Sequence, residues 1–156
     1  LVEQIAEATR LSAGRVQEAL GTAVTLLAAW GLSILLLRVP DVWQVTAGLV
    51  LAFTLASLLG HQMFPAGRPV GFLLCPFVLA ACTYLWVAAT YRGEDAVLHA
   101  AFRIGDLFAE GTLARTALAL PIVYASAGVA GVTLGVGWSQ VILANRRRGR
   151  VLQPAA

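Results

Sequence analysis

Four segments of this chain, about 19–37, 42–61, 70–91 and 117–141, contain no Asp, Glu, Lys or Arg. Each is long and apolar enough to cross a hydrocarbon core of roughly 30 Å as a helix, which takes about 20 residues. In lipid no water satisfies exposed backbone groups, so a spanning segment of this kind must bond its own N–H and C=O groups as a helix. Composition agrees: 12% of the residues are charged and 59% are hydrophobic, against about 25% charged in soluble domains. The expected fold is all-α, a polytopic membrane protein with four transmembrane helices in a single domain, residues 1–156.

The polar stretches between the spans are also patterned. In residues 1–20, Glu3, Glu7, Arg10, Gly14 and Gln17 recur at spacings of three and four. This predicts an amphipathic helix on the membrane surface or on a partner, running into the first span. Arg38 stops that span, Pro40-Asp41 makes a tight turn, and Trp43 stands where an interfacial aromatic is expected. Pro76 falls early in the third span and could kink it, while Tyr84, Trp86 and Tyr91 at its far end suggest an aromatic belt. Val97, Ala101, Ile104 and Phe108 predict a second amphipathic helix, about 94–110, lying in the interface between spans three and four.

Two spans carry small residues in rows. Gly48, Ala52, Ala56 and Gly60 recur every fourth residue, and Gly128, Gly131 and Gly135 form a second stripe. Such rows let helix backbones approach closely where dispersion drives association. They are expected to be packing faces. Cys75 and Cys82, seven residues apart, share one face of the third span. They are about 10 Å apart along it, too far for a disulfide.

Arginine supplies all the basic side chains, and Arg146, Arg147, Arg148 and Arg150 cluster after the last span. This run reads as a topology anchor on the cytoplasmic side. With four spans, both termini are then expected in the cytoplasm. The run is short and lacks interleaved aromatics, so anionic headgroups suit it better than nucleic acid. The chain opens at Leu1. Residues upstream are therefore expected, and what remains contains no signal peptide.

Intramembrane charges usually mark ion or proton pathways. Spans free of them argue against a pump or ion-coupled carrier acting alone. No Ser-His-Asp arrangement, nucleotide loop or metal-spaced cysteine set is present, so no catalytic or metal-binding residues are expected. His99 lies four residues after Asp95 on one helix face, but Arg103 one turn on opposes a bound cation. His61 and His99 belong to opposite sides of a four-span topology, about 30 Å apart, so they cannot share a haem. His61 remains a candidate single axial ligand to a haem or pigment.

Arg38 followed by Trp43, and Ala119-Leu120-Pro121-Ile122 opening the last span, resemble features of the small membrane subunit of tripartite TRAP transporters. Gln44 and Val45 stand where that family commonly has acidic residues, and the spacing from Arg38 to Trp43 is short. The resemblance implies four spans and a scaffold for a larger transport subunit, without substrate chemistry of its own. The residues themselves lead to a non-catalytic subunit that packs and scaffolds within a multi-subunit membrane complex. Its partners are the bilayer and larger membrane proteins. The alternatives are a TRAP-like transporter component and a haem- or pigment-binding subunit of a respiratory or photosynthetic complex.

Overall fold

A computed structural model describes residues 2–37, 41–65, 70–90 and 119–151, with side chains from residue 14 to residue 148 of those ranges. The described residues are helical apart from short caps and turns. Helix α1 is Val2–Leu36, α2 is Val42–Met63 and α3 is Val70–Thr90. The last helix, α4, starts as Pro121–Val123, widens into a π segment at Tyr124–Gly128 and continues as Val129–Val151. Four stretches are long and apolar enough to cross a membrane: Gly14–Leu36, Val42–Met63, Val70–Thr90 and Pro121–Arg148. The expected interfacial helix at 94–110, with His99, Arg38 and Arg68, lies outside the described residues, as does the Arg150 side chain.

Helix ends follow local chemistry. Asp41 caps α2: its Oδ1 accepts from the N–H groups of Trp43 (2.9 Å) and Gln44 (3.1 Å). A carboxylate there also meets the positive end of the helix dipole. Pro121 occupies the first turn of α4, where its missing N–H leaves no bond unmade. Helix α1 is uninterrupted, so the polar stretch at its start and the first span form one helix of 35 residues. At 1.5 Å per residue that is about 52 Å, well beyond the roughly 30 Å of a hydrocarbon core.

The four helices close in the order α1, α2, α4, α3, so that α2 and α3 lie diagonally. Pairs of contacts fix the directions. Thr25 Oγ1 donates to Ala56 O (3.5 Å), while Gly48 meets Leu37, so α1 and α2 are antiparallel. Gly128 meets Phe53, Gly131 meets Val50, and Gly135 meets Ser57 and Leu58, so α2 and α4 run in the same direction. The starts of α1 and α3 and the finishes of α2 and α4 therefore share one end of the bundle, here called the His61 end. Asp41 lies at the other.

The small-residue rows are used inside this bundle. Gly48, Ala52, Ala56 and Gly60 are all buried, with Gly48 against α1 at Leu37 and Gly60 against α1 at Gly21 and Thr25. The neighbouring row Val45, Leu49, Phe53, Ser57 and His61 is buried as well, and its Phe53 and Ser57 meet the α4 glycines. A Cβ on Gly135 would lie 2.2 Å from Thr54 O, and one on Gly131 would lie 2.5 Å from Val50 O. Backbone meets backbone along this seam, which is the close approach that small residues permit. Gly128 receives the ring of Pro76, whose Cβ would be 2.6 Å from an added methyl. Pro76 thus forms a ridge toward α4 while α3 continues through it.

Two features of the third span differ from the sequence reading. Tyr84 turns inward from the expected aromatic belt: its hydroxyl donates to Ala119 O and its ring meets Tyr124 edge to face at 6.4 Å. Cys75 and Cys82 share a helix face but not an environment, since Cys75 is buried and Cys82 is exposed. The reason is that α3 packs tightly on α1 near Cys75. Further along, the two helices part around an apolar cavity of about 300 Å³, lined by Leu26, Trp30, Leu79, Cys82, Thr83 and Trp86 among others.

Candidate functional site

Most of the polar contacts between helices lie toward the His61 end. From α1, Glu18 Oε1 accepts from the N–H of Gly71 at 3.2 Å. This satisfies one of the open donors in the first turn of α3 and sets a negative charge at its positive end. Cys75 Sγ donates weakly to Thr22 O at 3.6 Å and to Gly71 O at 3.7 Å. Phe72 fills the space between the glycines: Cβ atoms on Gly21 and Gly60 would lie 2.9 Å and 3.2 Å from its ring.

His61 occupies the last turn of α2, a place that suggests a ring among headgroups. The structure instead buries it to 3% exposure. Its Nδ1 shares a 2.8 Å hydrogen bond with Ser139 Oγ on α4, and its ring meets Phe72 edge-on at 6.0 Å. Gln62 Nε2 donates to Ser139 O at 3.4 Å. One serine thus engages two successive residues of α2, a join between positions 78 apart in sequence. One helical turn or two toward the centre, Ser57 Oγ bonds to Phe53 O (2.6 Å) on its own helix and reaches Val132 O (3.4 Å) on α4.

His61 Nε2 is buried without a hydrogen-bond partner, as are Thr22 Oγ1 and Ser33 Oγ. A histidine whose Nδ1 is held and whose Nε2 is free has the orientation of a metal or haem ligand. The enclosure opposes that role here. A haem on Nε2 would displace Phe72 and its neighbours, since a ring with 3% exposure has no open side. Among the described residues no group of three His, Cys, Asp or Glu is placed to hold a metal ion. The junction ties α1 to α3 through Glu18 and Cys75, and α2 to α4 through His61, Gln62 and Ser139.

A third row of small residues escaped the sequence reading. Gly21, Thr25, Ala29 and Ser33 are spaced by four and are all buried on α1. The signal was present in the same form as on α2, with hydroxyl residues replacing two of the glycines or alanines. The arginines Arg146, Arg147 and Arg148 are exposed on α4, beyond the junction. Comparison with family models, with curated proteins and with solved structures found no match to this chain.

Proposed function

We propose that this protein is a non-catalytic integral membrane subunit that packs and scaffolds within a larger membrane complex. The observation that carries the reading is the close packing of α2 against α1 and α4. Three small-residue rows and the hydroxyls of Thr25, Ser57 and Ser139 are spent on joining the chain's own helices. Thr54 and Thr83 donate to carbonyls one turn back. The outward faces offer apolar side chains such as Leu27, Leu74, Leu85 and Leu134. Such a body suits a fixed wall beside a working subunit and, among the described residues, gives a solute no continuous polar path. The small-residue rows no longer speak for a partner, because they meet one another within the chain. A partner would lie against the outer apolar faces.

The TRAP-like reading is a special case of this one. It is favoured by the exposed Trp43 at the capped start of α2 and by Ala119-Leu120-Pro121 at the start of α4. In both readings the termini are cytoplasmic. The test is extraction from native membranes in mild detergent, followed by native mass spectrometry. A stoichiometric assembly with a larger multi-span protein is expected. A partner-free monomer with transport or enzymatic activity of its own would overturn the proposal.

A further inference from the structure

The described charges divide unequally between the two ends of the bundle. Asp41, at one end, is committed to capping α2. At the His61 end stand Arg15, Arg146, Arg147 and Arg148, all exposed, and among the side chains described there Glu18 is the one acid. Glu18 is engaged with the N–H of Gly71. Arg146, Arg147 and Arg148 thus stand exposed on α4, with the described Glu18 carboxylate committed elsewhere.

Helix α4 joins these arginines to the lipid. Along its outer side Leu134, Trp138 and Val141 are 50%, 63% and 59% exposed. Arg148 follows ten residues after Trp138, about 15 Å further along the helix. Helical side chains lean toward the N-terminus of their helix. Here that direction is back toward the bilayer, so the long arginine stems bring their guanidiniums toward the headgroup layer beyond the indole. An apolar wall, an exposed indole and exposed guanidiniums follow one another along α4 in the order of acyl chain, glycerol and phosphate.

We propose that the arginine run Arg146–Arg148 at the end of α4 binds anionic phospholipid, with its phosphate on the arginines and its acyl chain along Leu134, Trp138 and Val141. The site selects lipids by net negative charge, because a zwitterionic headgroup brings its own cation to the same arginines. The binding is independent of any protein partner.

The test uses the full chain purified in a neutral detergent and titrated with phosphatidylglycerol or phosphatidylcholine of matched acyl chains, with retained lipid read by native mass spectrometry. Phosphatidylglycerol is retained preferentially, and each arginine replaced by glutamine lowers that preference about fivefold. The triple variant R146K/R147K/R148K keeps it, which separates loss of charge from loss of fold. Equal retention of the two lipids by the unaltered protein would overturn the proposal, as would a preference surviving in R146Q/R147Q/R148Q. Displacement of the lipid by inorganic phosphate at equal concentration would also overturn it, since the acyl chain would then contribute nothing.

Discussion

The α2–α4 seam and the α1–α3 seam both join helices that run in the same direction, yet only the first stays closed from the π segment to Ser139. Along α2–α4 the glycines at 128, 131 and 135 bring backbone to side chain and backbone, and the Ser139 contacts seal the end. Along α1–α3 the contact is as close at Gly71, where a Cβ would lie 2.4 Å from Thr22 Oγ1. It then opens into the cavity beside Trp30 and Trp86. The difference lies in the residues that face each other. One seam repeats small residues at helical spacing, while the other passes from Gly71 and Cys75 to Leu79, Cys82 and Trp86, which hold the helices apart. In lipid, where apolar surface gains little from leaving the solvent, contact distance decides which seam is strong.

The largest test of this contrast is Gly135→Leu. The new side chain would meet Thr54 O and Leu58 N, both backbone atoms that cannot step aside. A loss of about 3 kcal/mol or more is expected, at the upper end of overpacking costs. It would be measured as resistance to unfolding in mixed detergent and dodecyl sulfate. A stability unchanged by this replacement would mean that the seam is not closed as described.

Ser139→Ala should cost less, about 1 kcal/mol. It removes the partner of His61 Nδ1 from an imidazole whose Nε2 already has none. Thr133→Ala is the control, because that exposed hydroxyl bonds within its own helix to Ala130 O. Equal losses in the two variants would show that the join across helices adds nothing.

The smallest effect is expected in the open seam. Cys82→Leu places a larger side chain beside the cavity and should change stability by less than about 0.5 kcal/mol. Cys75→Leu, on the same face but buried, should cost about 1–3 kcal/mol by overpacking. Similar losses at both positions would show that the α1–α3 seam closes along its whole length.

The four spans were legible in the sequence because lipid imposes length and apolarity on each one separately. The rows on α2 and α4 were legible as rows for the same local reason. What they meet was not, since nothing in Gly48 or Gly131 distinguishes a neighbour in the same chain from one in another. The α1 row was overlooked because Thr25 and Ser33 interrupt the glycine and alanine, although Thr25, bonded to Ala56 O, packs as a small residue. Position along the span suggested a headgroup environment for His61. Its burial depends on Ser139 and Phe72, each brought there by a different helix. Tyr84 shows the same limit: an aromatic near a span end reads as an anchor until a facing carbonyl, here that of Ala119, claims its hydroxyl.

The pairing of α2 with α4 has a consequence for the order of synthesis. His61 must wait for Ser139, 78 residues later. At about 5–20 residues per second this is roughly 4–16 s of translation. The α1–α2 hairpin can form at once, because its contacts are local. During the interval the imidazole and the row behind it face whatever stands beside the nascent chain, whether lipid, an insertion machine or a subunit already in place. The helix that hides them is made only after the other three described helices.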